Sequence, residues 1–178
     1  MPAAKTPAKK TITASSAKPK MPAGTQGEDV IALLTKDHKD VKKLFTAYQK
    51  LADADAPADE RKTIADEICA ALTVHATVEE EIFYPAMRDA ADDAEDELDE
   101  AEVEHASVKD LIAQIEEMDP DEDLYDAKVK VLGEYVDHHV KEEEGEMFPK
   151  AKKSDMDLNA LGAEVQARKE ELQAVVAK

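Results

Sequence analysis

Apolar positions in this chain recur at steps of three and four, the spacing of a helix that buries one face. From about Asp29 to Asp53 the stripe is Ile31, Leu34, Val41, Leu44, Phe45, Tyr48 and Leu51, and the segment Ala54–Asp59, with Pro57, breaks it. A second stripe starts near Asp59 and carries Ile64, Ile68 and Leu72, then His75 and Glu79, then Ile82. Pro85 is expected to kink or end that helix, and an acidic loop, Asp89 to Asp96, follows. The third stripe has the cleanest period, Leu98, Ala101, His105, Val108, Ile112 and Ile115, and Asp119-Pro120 ends it. A fourth helix is predicted from about Asp121 to Met147, with Pro149 beyond. A looser stripe of Leu158, Leu161, Val165, Leu172 and Val176 predicts a last helix, capped by Asp155 or Asp157. That helix packs on the others or on a second chain; the sequence does not choose between them.

Polar residues inside these stripes are the first departure from a plain apolar core. His38 lies one turn from Leu34 and Val41, and His105 replaces an apolar residue in the third helix. His75 and Glu79, and again His139 and Glu143, stand four residues apart. That spacing puts each pair on one face, about 6 Å apart along the axis. The fourth helix has two adjacent histidines, so its frame must be resolved. Plotting its Leu, Val, Tyr135 and Met147 at 100° per residue puts the centre of the apolar face about 30° from His139 and about 10° from Glu143. His138 lies about 130° away, so His139 and Glu143 point inward and His138 outward.

The pattern is duplicated. Asp37-His38-x-x-Val41-Lys42-x-Leu44-Phe45 aligns with Glu104-His105-x-x-Val108-Lys109-x-Leu111-Ile112. His75 to Glu79 running to Tyr84-Pro85 aligns with His139 to Glu143 running to Phe148-Pro149. Two helical hairpins joined by short loops bury such stripes as an antiparallel up-down-up-down four-helix bundle. Pseudo-symmetry then brings four imidazoles and two carboxylates together on the bundle axis.

Composition agrees with an all-α chain: Ala, Glu, Lys and Leu dominate, Gly is scarce and Trp is absent. The net charge of -19 is unevenly distributed, since residues 1–26 hold five Lys and no acid and the remainder carries -24. Residues 1–27 read as a disordered basic tail, residues 28–152 as the bundle and residues 153–178 as the C-terminal helix. An acidic body repels nucleic acid and anionic membrane, leaving the tail as the only basic element. The single cysteine, Cys69, rules out an internal disulfide and a CxxC motif. With no apolar run of about 20 residues and no apolar signal segment, a cytoplasmic location is expected.

Buried without a cation, two carboxylates and four imidazoles would cost several kcal/mol or titrate to neutral forms. A buried His–Glu hydrogen-bond network that sets helix register is the metal-free alternative. Imidazole and carboxylate donors without thiolate suit iron, manganese or zinc over copper(I). Six donors, two of them able to bridge, serve two ions better than one. Zinc usually settles for four ligands, so a redox-active iron pair is favoured.

These motifs, with Glu80 and Glu144 beside the two glutamates, resemble the hemerythrin-like HHE cation-binding family over about Val30 to Lys152. The resemblance implies a four-helix bundle enclosing two non-haem iron ions with oxo or hydroxo bridging. Carried over by position, the ligands are His38, His75, Glu79, His105, His139 and Glu143, the set the stripes select. Oxygen-carrying hemerythrins have a further His one turn along the third helix; here Ala101 and Lys109 stand one turn either side of His105. The site therefore resembles the four-His, two-Glu members. The expected role is to bind O2, peroxide or NO for sensing or scavenging, in stress response. Alternatives are an iron-storage or iron-sensing module and a catalase-like or oxidase enzyme. The chain is expected to act as a monomer or as a homodimer through its last helix.

Overall fold

The computed structural model describes residues 27–91 and 93–176. Apart from Gly27, the expected N-terminal tail lies outside the described residues. Among those residues every regular element is helical. No helix among them is long and apolar enough to cross a membrane.

Helix α1 (Val30–Asp53) starts where the sequence places it, because the Asp29 carboxylate accepts a hydrogen bond from the Ala32 N–H at 2.9 Å. Helix α2 (Ala58–Val78) follows a four-residue turn. It is not ended by Pro85. The chain passes through a π turn (Glu79–Phe83), in which the Tyr84 N–H reaches back to the Glu79 carbonyl, and continues as α3 (Tyr84–Ala90). Pro85 occupies the first turn of α3, where its missing N–H and its ring are tolerated. The frame shift that results makes Ile82 only half-buried and puts Phe83 and Tyr84 in the core instead. The acidic loop is shorter than expected, since α3 runs to Ala90 and α4 (Glu95–Glu117) begins with Glu95, Asp96 and Glu97 in its first turn, where negative charge is favoured.

The fourth predicted helix starts later than expected. Asp119 accepts from the Asp121 N–H at 3.0 Å, and Glu122 accepts from the Asp119 N–H at 2.8 Å. These side chains hold residues 119–124 as turns, and α5 (Tyr125–Glu142) begins only after Leu124, at φ 75°. A second π turn (Glu143–Met147) leads into α6 (Phe148–Lys153). Tyr135, read from the sequence as part of the apolar face of α5, is 50% exposed and lies outside the stripe of Val129, Leu132 and Val136. Asp157 caps α7 (Leu158–Val176) by accepting from the Ala160 N–H at 3.0 Å.

Helix α1 packs on α2 and α5, and α4 packs on α5 and α2, which closes a ring. Helix α7 lies across α1 and α2 of its own chain, with Val165 fully buried and Leu161 and Leu172 packed beside it. Two apolar clusters fill the interior. One is built from Leu34, Val78, Phe83, Met87, Leu98 and Phe148 and their neighbours, the other from Val41, Ile68, Leu72, Ile112, Leu132 and theirs. On each of the four long helices, followed through its π turn where it has one, the inward histidine falls between buried residues of the first cluster and buried residues of the second. The apolar core is thus divided by one polar layer. At the end away from α7, Tyr48 donates to Asp126 at 2.5 Å and Arg61 to the same oxygen at 2.7 Å, tying α1, α2 and α5.

Gly162 shows how close α7 comes to the start of α1: a Cβ there would stand 2.2 Å from the Glu28 carbonyl oxygen and 2.9 Å from the Val30 nitrogen. Both are backbone atoms, so the helix must move. Replacing a helical Gly by Ala otherwise gains about 1 kcal/mol. Gly162→Ala is therefore expected to lower Tm by several degrees, the overpacking cost of about 1–3 kcal/mol exceeding that gain. A rise in Tm on thermal melting would mean that α7 does not dock this tightly.

Candidate metal centre

All six residues singled out by sequence lie in the polar layer. His38, His75, His105 and His139 are 4–8% exposed, and Glu79 and Glu143 are fully buried. His138 points outward, with its side chain 62% exposed beside Glu104 and Glu142.

The layer contains two donor clusters. In the first, the Nε2 atoms of His38 and His75 face each other at 3.2 Å. His38 Nε2 is 3.1 Å from a Glu143 oxygen, and His75 Nε2 is 3.1 Å from Glu79 Oε1. In the second, His105 and His139 face each other through Nε2 at 3.2 Å, and His105 Nε2 lies 3.5 Å from Glu79 Oε2. The hydroxyl of Tyr84 stands 3.3 Å from His105 Nε2 and 3.5 Å from His139 Nε2. Glu79 belongs to both clusters, one oxygen turned to each.

Around these donors lies a ring of acids. His38 Nδ1 donates to Glu144 at 2.8 Å and His139 Nδ1 to Glu104 at 2.7 Å. His105 Nδ1 donates to Glu80 at 3.0 Å, and His75 Nδ1 to Asp37 at a longer 3.4 Å. A carboxylate only accepts, so each ring carries its proton on Nδ1 and turns the Nε2 lone pair inward. Two of these acids are further held by lysines, Asp37 by Lys169 at 2.5 Å and Glu80 by Lys109 at 2.6 Å. Sequence reasoning gave these four acids no role. The signal was present: each stands next to a predicted donor, as Asp37-His38, Glu79-Glu80, Glu104-His105 and Glu143-Glu144. From the sequence Tyr84 is likewise only an aromatic before a proline.

Hydrogen-bond accounting then decides what the layer lacks. With the four Nδ1 protons used on the outer acids, the inner face holds four imidazole lone pairs, two carboxylates and one O–H. None of the four oxygens of Glu79 and Glu143 accepts a hydrogen bond, an arrangement rare for buried polar atoms. Protons can supply the missing positive charge. Burial opposes a charged His75, yet the carboxylates of Glu79 and Asp37 outweigh it and hold its pKa up at about 10. Burial and the nearby Glu79 carboxylate push Glu143 upward as well. Cations supply the charge better, because their donors sit at a coordination edge. For bonds of about 2.1 Å, neighbouring ligands stand roughly 3.0–3.4 Å apart, and the inner distances run from 3.1 to 3.5 Å.

The arrangement defines a helical protein with buried His and Glu groups fit to hold metal ions. The family model for the hemerythrin HHE cation binding domain matches residues 29–151, and the chain belongs to that family. It is 30% identical over 131 residues to a DNA nickase of Nostoc sp. (strain PCC 7120); the match covers 71% of this chain but only 36% of that relative. The chain therefore spans about a third of the length of that protein. An uncharacterized protein of Mycobacterium tuberculosis is 26% identical over 127 residues, 70% of this chain and 76% of its own. The crystal structure of a hemerythrin HHE cation binding domain-containing protein from Mycobacterium kansasii has the same fold. Its TM-score is 0.69 at 24% identity, over 83% of this chain and 89% of that one.

His75, raised above its ordinary 6.5, contributes stability that is complete below pH 6.5 and lost as pH climbs towards 10. His139 and Glu143 are raised too and act in the same direction; His105, lowered by burial, opposes them. Chelator-treated protein should therefore melt lower at pH 9 than at pH 6.5. The gap in Tm to cation-loaded protein should widen over that interval, because cation binding displaces protons. Separately, Glu104→Gln should weaken cation affinity on the order of 10–100-fold, whereas His138→Ala should leave it unchanged; competition with a chelator of known affinity measures both.

Proposed function

We propose that the layer binds two iron ions and that the pair takes up O2, NO or peroxide for sensing or scavenging. His38, His75, Glu79 and Glu143 would hold one ion, and His105, His139 and Glu79 the other, inside an antiparallel up-down-up-down bundle spanning residues 28–152. The observation that carries the small-ligand reading is a cavity of about 40 Å³ that reaches all four imidazoles and is otherwise lined by such residues as Val41, Val108, Val136 and Val140. About 10–15 Å³ of such space holds one water, so this cavity has room for a diatomic or a peroxide. Its lining sets the four imidazoles against apolar Val, Ala and Leu side chains.

Bound iron would supply a redox couple and a free coordination position. The chain's own residues do the rest. The outer carboxylates fix each ring and raise its basicity. Glu79 links the two clusters, so a change in charge at one is felt at the other. The apolar clusters on either side keep bulk water from the layer. Storage of iron as a mineral needs volume that a 40 Å³ cavity does not have. DNA nicking belongs to a relative of which this chain spans 36%, and an acidic body repels nucleic acid.

Protein purified without added metal and then loaded anaerobically should bind two ferrous ions per chain and change its absorption spectrum with O2, NO or peroxide. Val136→Phe should fill the cavity, slow that change at least about tenfold and cost roughly 1–3 kcal/mol of stability, with iron content retained. Loaded protein that responds to none of the three ligands would refute the sensing and scavenging reading. Evolution of O2 from peroxide would make the chain a catalase-like enzyme.

A further inference from the structure

The two halves of the layer are not equivalent, and the difference lies in one atom. Tyr84 and Phe148 occupy the same place in the duplication, each directly after a π turn and directly before a proline. Each is 2% exposed. Phe148 lies parallel to the His38 ring, centroids 5.8 Å apart and planes 3° from parallel, and brings no polar atom to the first cluster. Tyr84 brings its hydroxyl to 3.3 and 3.5 Å from the two Nε2 atoms of the second.

The donor count shows what that oxygen is for. The first cluster has four protein donors, His38, His75, Glu79 and Glu143, whereas His105, His139 and Glu79 make only three. Glu143 belongs to the first cluster alone. An ordinary buried hydrogen bond does not account for the Tyr84 hydroxyl. It has one proton and meets two imidazole lone pairs whose Nδ1 protons are already given to Glu80 and Glu104, so one lone pair stays unmatched. An oxygen bound to the same cation as both imidazoles leaves none. Its distances to the two nitrogens, 3.3 and 3.5 Å, match the 3.2 Å between the nitrogens themselves.

We infer that the Tyr84 oxygen is the fourth protein donor of the second cluster, its hydroxyl proton leaving to solvent as the cation binds, so that one ion is held with phenolate ligation and the other without. The inference rests on the reading that both clusters bind cations. It also assigns the tyrosine a role that packing alone would leave to phenylalanine, as at position 148. The two positions then differ in chemistry: an anionic phenolate oxygen favours the ferric state of its ion, while the first position keeps only imidazole and carboxylate.

Full-length protein loaded with ferrous iron and oxidised in air tests this directly. A phenolate oxygen on ferric iron gives a visible charge-transfer band and resonance-enhanced tyrosine ring modes, which imidazole and carboxylate cannot give. The wild type should show both, and ring-deuterated tyrosine should shift the Raman modes. Tyr84→Phe should lose both, with the weaker-bound ion released on the order of 10–100-fold more readily to a chelator. Tyr84→His should restore the second ion without the band. Two irons per chain in the wild type with no tyrosine modes would overturn the inference and leave the two-ion reading standing; no iron uptake by the wild type would remove both. Should Tyr84→Phe fail to fold, the labelled wild-type spectrum still decides, because no other tyrosine reaches the layer among the described residues.

Discussion

A layer with more lone pairs than protons, sealed between two apolar clusters, is the constraint that shapes this chain. Four imidazoles turn Nε2 inward because four outer acids hold their Nδ1 protons, and Glu79 and Glu143 add oxygens that accept no hydrogen bond. Removing water from so many acceptors is unfavourable by several kcal/mol per charged group unless positive charge enters. Protons or metal ions can bring it, so folding and cation binding form one linked equilibrium. The apolar clusters do not merely flank the layer. By excluding water they make the demand for cations strict.

The outer acids also explain why two hairpins stay together. Asp37 meets His75 and Glu104 meets His139, each within one hairpin. Glu80 meets His105 and Glu144 meets His38, each across to the other hairpin. The doublets Asp37-His38 and Glu79-Glu80, with their counterparts in the second half, thus do two jobs with adjacent residues: one side chain faces the layer and its neighbour braces a ring on another helix. The lysines break the symmetry. Lys169 of α7 reaches Asp37 and Lys109 reaches Glu80, whereas Glu104 meets His138 and, among the described residues, no lysine. Through Lys169 the last helix touches the bracing of His75, so its docking is continuous with the site.

The helices and the six inner donors could be read from the chain because both obey the 3.6-residue period. A histidine inside a stripe must point inward, and the angular plot separates His139 from His138 for the same reason. What the period cannot show is a contact between stripes. Asp37, Glu80, Glu104 and Glu144 sit one residue off their helix's inward face, where a solvated acid is the ordinary expectation; only the neighbouring helix gives them a partner. Whether α7 folds back or pairs with another chain was open for the same reason. Its stripe is loose, and Gly162, which lets its backbone approach Glu28, marks a contact only once both partners are in place. Turn chemistry hid the start of α5, since Asp121 reads equally well as a cap and as the turn residue it is.

The prolines misled in a more instructive way. An uninterrupted α frame from Glu143 would bring Glu146 towards the core, yet Glu146 is exposed and Met147 and Phe148 are buried. From Glu79 the same frame would favour Ile82, but the buried residues are Phe83 and Tyr84. The two halves share buried positions at steps of four, four, one and three: 75, 79, 83, 84 and 87, and 139, 143, 147, 148 and 151. That pattern belongs to a helix with one residue inserted, and the π turn supplies the insertion. It starts at the inward glutamate, keeps that carboxylate aimed at the layer, and rotates the following turn so that the residue before proline faces the imidazoles. Proline then costs little, because the widened turn has already removed the regular bonding its ring would disrupt. The proline is thus the visible mark of a local helix fault that aims Glu79 and Tyr84 at one site from adjacent turns.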